Sequence, residues 1–319
     1  MINLVTIGGG SGQFVLLSGL RDLKNIHINA IVSMVDSGGS TGRLRDELGI
    51  LPPGDVLKCV LALSPNRDHA RKILQKRFAS DNRLNGHNAG NMLLTILSQY
   101  TGSFPEGIEA LGEVLDIKGC VLPVTTDKAT LVAELTNGHR LYGEAAIDVP
   151  RGNQREKIKR TFLVPHHSDR IKVYKPVLSA IRNAKFIIIG PGDLFTSIIP
   201  NFLIPEVKEA IKKTRAKLIY IVNLMTKFGE TDHFRGEDFV SHVEKAIGRK
   251  VNFVIVNSTK LDKNILQNYK KQKAEQVSIN KDENWSGREI IKTDIVNLSG
   301  DIIRHDEEKL ASIIRTIIS

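Results

Sequence analysis

The chain opens on Ile2-Asn3-Leu4-Val5-Thr6-Ile7-Gly8-Gly9-Gly10-Ser11-Gly12, and this stretch decides the fold. Residues 3–7 are a near-continuous apolar run, not an alternating one, as a parallel strand buried on both faces requires. Glycines follow at once, and an amphipathic pattern over residues 14–23 comes after them. Glycines let a backbone pass close to a phosphate, and the start of a helix supplies unpaired N–H groups at a positive dipole end. Gln13 stands where a dinucleotide fingerprint needs its third glycine, and no Gly-Lys-Ser/Thr follows to make a P-loop. A tight turn that binds nothing is the alternative. The position directly after the first strand favours a phosphate site on Gly9, Gly10, Ser11 and Gly12.

Working outward, apolar runs of the same kind recur at residues 28–35, 186–189, 218–222, 251–256 and 290–296, with amphipathic stretches such as 205–213 and 239–247 between them. That alternation predicts an α/β fold with a Rossmann-like, doubly wound, mostly parallel sheet. The middle differs. Residues 54–63, 69–78 and 88–100 read as helices, and residues 130–135 and 140–147 alternate around Asn137-Gly138, a type I′ hairpin signal. The expected organisation is a single domain over 1–319, with a helical and hairpin insertion or cap at 54–180.

A second loop, Asp36-Ser37-Gly38-Gly39-Ser40-Thr41-Gly42-Arg43-Leu44-Arg45, follows the second strand and so lies at the same carboxyl edge. Asp36 falls near the position of a ribose-binding acid, and the hydroxyls, N–H groups and arginines suit a diphosphate or sugar phosphate. Gly38-x-Ser40-x-Gly42 also fits a nucleophile elbow, but no partner His and acid accompany it. Leu51-Pro52-Pro53-Gly54-Asp55 starts one helix, and Gly86-His87-Asn88-Ala89-Gly90-Asn91 starts another. Asn88 and Asn91, three apart, can face one ligand, with helix capping the alternative for them and for His87. Gly190, Gly192, Asp193 and Ser197 follow the strand at 186–189, while Asn223 and Thr226 follow the next. Near the C-terminus Arg304 precedes His305 and Asp306, either of which can cap the last helix. Its planar fork suits a diphosphate, the alternative being a surface pair with Asp306 or Glu308.

The composition, 41% hydrophobic and 25% charged over 319 residues, is that of a globular chain able to bury its own core. Cys59 and Cys120 form no CxxC pair, so a reducing compartment is expected and neither a disulfide framework nor a zinc site is. No signal peptide or membrane-length apolar run is seen, which predicts a cytoplasmic protein with no membrane insertion. The net charge of +10 favours an anionic partner. Residues 151–182 hold nine Lys and Arg against Glu156 and Asp169, which reads most simply as a solvated basic face. Aromatics do not interleave the basic stretches, so nucleic acid is not expected.

Read together, Gly8–Gly12 with Leu16-Leu17 and Gly19-Leu20, the 36–45 loop, Leu51–Asp55, Gly86-His87 with Gly90-Asn91, Gly190-Pro191-Gly192 with residues 196–201, and Asn223 with Met225-Thr226 resemble the YvcK family, within the larger CofD-like group. The resemblance implies a cytoplasmic, Rossmann-like protein that binds a UDP-sugar such as UDP-N-acetylglucosamine. It also implies a role in cell shape and envelope synthesis during growth on gluconeogenic carbon sources. Such a protein is a regulator more than an enzyme, with no catalytic residue assigned, no cofactor required and a protein partner in envelope synthesis. A homo-oligomer is left open. The alternative is the CofD reaction, transfer of a phospholactyl-type group from a nucleotide diphosphate carrier to a deazaflavin. Mg2+ held by Asp36 or Asp55 would favour that reading, whereas the Gly-Gly-Ser-Thr-Gly-Arg-Leu-Arg run at 38–45 departs from those enzymes. A nicotinamide dehydrogenase comes third, weakened by Gln13. Lys227-Phe228 replaces the Gln-Pro pair usual in the YvcK pattern before Gly229-Glu230-Thr231.

Overall fold

A computed structural model describes residues 1–79, 84–150, 152, 154–280, 285–300 and 302–319; Arg151 of the basic run lies outside them. The strands are β1 (Ile2–Gly8), β2 (Ile26–Val32), β3 (Cys120–Pro123), β4 (Ala129–Leu135), β5 (Arg140–Tyr142), β6 (Ile158–Pro165), β7 (Phe186–Ile189), β8 (Lys217–Ile221), β9 (Phe253–Asn257), β10 (Glu289–Thr293), β11 (Val296–Asn297) and β12 (Arg304–His305). The helices of the first half are α1 (Gly10–Leu20), α2 (Gly39–Leu48), α3 (Gly54–Leu63), α4 (Arg67–Leu74), α5 (Ala89–Thr101), α6 (Phe104–Val114) and α7 (Glu144–Asp148). Those of the second half are α8 (Lys175–Asn183), α9 (Ile199–Phe202), α10 (Pro205–Lys213), α11 (Gly236–Ile247), α12 (Lys263–Lys271) and α13 (Glu307–Ile318).

The main sheet has seven strands in the order β10-β9-β8-β7-β1-β2-β3. Every neighbouring pair in it is parallel. Ile187, Ile188 and Ile189 of β7 and Leu218 to Ile221 of β8 are fully buried, so helices cover both faces of the centre. Each of the aliphatic side chains among them stabilises the fold by about 1.5–3 kcal/mol relative to exposure. The chain reverses its winding between β1 and β7, the switch point where open α/β sheets leave a crevice at the carboxyl ends of their strands.

Residues 54–180 hold two crossovers with β3 between them. One carries α3 to α6; the other carries the three-stranded sheet β5-β4-β6 with α7 and α8. β3 was not anticipated: it has four residues, ends in Pro123 and lies at an edge of the sheet. The β4–β5 hairpin is present, but its turn is not type I′. Leu135 N donates to His139 O, Gly138 N to Leu135 O, and in this three-residue loop Gly138 has a positive φ that Asn137 does not share. That is a type I turn closed by a left-handed glycine. The second strand also stops at Tyr142, well short of residue 147, because α7 starts at Glu144.

Candidate functional site

Three helices begin at the carboxyl edge with no side-chain cap: α1 after Gly9, α2 after Gly38 and α3 after Pro53. The first turn of each leaves N–H groups without partners in the helix and presents a positive dipole end. They converge on a cleft of about 500 Å3 whose walls include Ser11, Asp36, Gly38, Gly39, Ser40 and Thr41. Asn88, Asn91 and Arg304 complete the wall from other elements. These residues, expected along one edge of the sheet, meet in one cavity.

Close packing at two glycines makes the convergence workable. A Cβ on Gly12 would stand 2.3 Å from the Pro191 carbonyl oxygen, so α1 can rest on the loop after β7 only with glycine there. A Cβ on Gly54 would stand 2.6 Å from Asp36 Oδ2 and 2.5 Å from Thr41 Oγ1, so α3 starts directly against the second loop. Gln13, the residue that breaks the dinucleotide fingerprint, is buried and donates to Thr6 Oγ1 and Ile31 O, tying α1 to β1 and β2.

Asp36 Oδ1 accepts from Gly38 N at 2.9 Å, and burial, then the neighbouring Asp55 carboxylate, raises its pKa. Lys58 Nζ lies 2.9 Å from Asp55 Oδ1; burial draws the ammonium down, but Asp55 and Asp36 outweigh it and hold its pKa up. Ser40 is fixed from behind, its Oγ 3.0 Å from His87 Nδ1 and accepting from Asn91 Nδ2 at 3.3 Å. His87, 2% exposed, therefore braces the loop. Asn88 both lines the cleft and caps α5 through Asn91 N at 2.7 Å, so capping and ligand contact are not exclusive.

Other expected residues lie around the cleft. Arg43 Nη2 donates to Asn85 O at 2.5 Å, directing that guanidinium to the neighbouring loop. Gly192 and Ser197 back the first glycine loop: a Cβ on Gly192 would be 3.3 Å from Ser197 Cβ and 3.5 Å from Gly9 O, with the cis Gly190-Pro191 bond just before it. Thr226 accepts from Glu275 N through Oγ1 and donates from N to Glu275 O, which pins the loop after β8. Asn223 Oδ1 is buried without a partner among the described residues. Asp306, not His305, caps α13, and among the described residues Arg304 has no ion pair with Asp306 or Glu308. His305 is turned inward to Val222 O, with burial drawing its pKa down to about 4.

Sequence reasoning missed Lys58, Arg71, Arg77 and Phe14, all of which line the cleft. The spacing of Asp55 and Lys58 on the first turn of a predicted helix was a usable signal for the first. The arginines carried none, because their direction depends on how α4 docks.

A second charged group sits beside the cleft, at the ends of β7 and β8. Lys227 Nζ pairs with Asp148, with Asp193 at 2.9 Å and with Glu230 at 3.1 Å. Burial drives the Glu230 pKa up to about 8 despite Lys227. From the same helix as Asp148, Glu144 accepts from Ser37 N at 3.3 Å, and Ala145 N donates to Ser37 Oγ at 3.0 Å. Burial, then Asp36 and Asp148, pushes Glu144 up to about 7.

The family model described as 2-phospho-L-lactate transferase CofD matches residues 4–296. A Thermotoga maritima protein is 41% identical over 99% of both chains. The gluconeogenesis factor of Bacillus subtilis is 39% identical over 98% of this chain and 96% of its own. A crystal structure of a Bacillus halodurans protein described as a member of the UPF0052 family superposes with a TM-score of 0.91 at 37% identity, covering 98% and 99% of the two chains.

Proposed function

Since the chain belongs to the CofD family, in the branch whose curated relatives are named gluconeogenesis factors, we propose that it binds a nucleotide diphosphate sugar of the UDP-N-acetylglucosamine kind in this cleft. One observation carries the reading. Three uncapped helix starts meet Lys58, Arg71, Arg77 and Arg304 around a cavity large enough for a diphosphate and its substituents. The diphosphate rests on Gly9 to Gly12 within reach of Arg304, and the sugar points toward Gly38 to Arg43, where hydroxyl and amide groups of Ser40, Thr41, Asn88 and Asn91 are grouped. The protein acts as a cytoplasmic regulator. Its occupancy reports nucleotide-sugar supply to a protein of envelope synthesis, and so to cell shape, during gluconeogenic growth.

Titration calorimetry with UDP-N-acetylglucosamine tests this in the wild type and Arg304→Ala. The variant should lose about 1.5–3 kcal/mol of affinity, the scale of a charge-assisted hydrogen bond, with its unliganded melting temperature little changed. Saturable binding of NAD with no heat from UDP-sugars would overturn the proposal.

A transferase is the second reading, favoured by the description of the family model and by the Asp36–Asp55 pair. Two adjacent carboxylates suit Mg2+ bound together with diphosphate oxygens, whose charge the ion would neutralise. Asp36 and Asp55 are the residues that would hold it. Product formed from a phospholactyl donor and a deazaflavin, dependent on both and on Asp36, would establish this reading over the first; no turnover is expected.

A further inference from the structure

A second chamber of about 710 Å3 adjoins the cleft, and Phe14, Arg71 and Arg304 form walls of both. Its charges are largely engaged. Arg67 makes a two-pronged pair with Glu307, at 2.7 and 3.0 Å, and Asp306 caps α13. Asp68 and Glu308 also line it, so a phosphate gains less here than among Lys58, Arg71 and Arg77 next door. An uncharged part of a ligand fits better. Arg71 lies over the Phe14 ring at 5.1 Å, which places a flat aromatic surface at the junction of the two spaces.

Asn297 and Arg304 are directly paired across the two-stranded β11–β12 ribbon, as are Val296 and His305. Cross-strand partners share a face. Val296 is buried and His305 is turned inward, so Asn297 and Arg304 stand side by side on the chamber side. The orientation of the Asn297 amide is fixed. Its Oδ1 accepts from Ser299 N at 2.8 Å and from Ser299 Oγ at 2.6 Å, and a backbone N–H can point only at the oxygen end. What Asn297 offers the chamber is Nδ2, with hydrogens that no acceptor takes among the described residues.

We infer that this chamber receives the nucleobase of the ligand and that Asn297 selects the keto oxygen O4 of uracil or O6 of guanine over the exocyclic amine that cytosine or adenine carries at the same position. The inference rests on the nucleotide reading above and adds the base. A keto oxygen accepts from Nδ2, whereas the exocyclic amine of cytosine or adenine sets N–H against N–H and leaves both donors unmatched in a partly enclosed space.

Calorimetry with UDP, CDP, GDP and ADP tests it in the wild type and Asn297→Asp, with melting temperatures taken alongside. The wild type should prefer UDP to CDP, or GDP to ADP, by roughly tenfold or more, the cost of one unmatched hydrogen bond. Which pair binds tells uracil from guanine. Asn297→Asp keeps an acceptor for Ser299 and shows the chamber an acceptor, so the preference should swing toward the amino base by roughly tenfold. If that variant melts early, Asn297→Ala serves instead and should bind both members of the pair alike. Equal wild-type affinity within each pair, or a preference that the variants leave unchanged, overturns the inference and leaves the nucleotide reading standing. No binding of any diphosphate, UDP-N-acetylglucosamine included, overturns both.

Discussion

Two lysines at the carboxyl edge of the sheet sit among carboxylates, and they are used differently. Lys227 is ringed by Asp148, Asp193 and Glu230, drawn from α7 and from the loops after β7 and β8. Among the described residues Lys58 pairs with Asp55 alone; its side chain is 36% exposed and lines the cleft. The first arrangement consumes its cation to hold three segments together; the second leaves part of it for a ligand. Arg67 and Arg304 repeat the contrast on the other side, one locked to Glu307 and the other without an ion pair among the described residues. Charge at this edge is therefore divided between scaffold and site, and net charge alone could not show the division.

The contrast can be broken most directly at Lys227. Lys227→Met leaves three carboxylates without their common cation and should lower the unfolding free energy by about 3 kcal/mol, read from urea denaturation. UDP-N-acetylglucosamine affinity of the folded fraction should change less than about twofold, since no ligand contact is removed. A stable variant with lost affinity would move Lys227 from the scaffold to the site.

Next in size is Gly12→Ala, which drives a methyl into the Pro191 carbonyl. Overpacking against backbone should cost about 2 kcal/mol and weaken ligand binding as well, because α1 and the loop after β7 must separate. Unchanged stability would mean the two loops are not locked together. Smaller still is Lys58→Met. Its half-buried pair with Asp55 contributes about 1 kcal/mol to folding, while loss of a charged donor to a diphosphate should cost about 1.5 kcal/mol of affinity. A drop in stability with intact affinity would invert the comparison with Lys227.

These effects differ in how far the sequence announced them. The parallel sheet was legible because five of its strands are apolar runs that require burial on both faces, followed by glycine or polar loops; the run at 290–296 gives the edge strand β10, whose residues are exposed or half-buried. β3 was not, since Cys120–Pro123 is too short to show a period. Gly12 was read as letting the backbone pass close to a phosphate, whereas the close approach found at its Cβ position is to Pro191 O, 179 residues away by number. The polar loops at Gly38 to Thr41 and at Asn88 and Asn91 could be placed because each follows a predicted strand or starts a predicted helix. Arg43 shows the limit: its spacing in a glycine loop pointed to the ligand, yet its reach ends on Asn85 O. Arg71 and Arg77 show the converse, contributing to the cleft from a helix and a loop whose docking no local pattern specifies.

The smallest expected effect concerns Glu144, which lies between the two lysine groups and feels both. In the folded protein its pKa stands at about 7 against an ordinary 4.5, because burial and then Asp36 and Asp148 disfavour the charge. Between those two values the folded state holds a proton that the unfolded chain has released. Stability from this residue is therefore complete below about pH 4.5 and is lost as pH rises through 7. Glu144→Gln is neutral throughout and keeps an oxygen for Ser37 N. Relative to wild type it should be more stable at pH 8, by about 1 kcal/mol or some 2–4 °C in melting temperature, and equal to it near pH 4.5. Scanning calorimetry at both pH values decides the matter. A difference that does not vary with pH would mean that Glu144 titrates as an ordinary surface carboxyl, and that α7 does not press its charge against Asp36.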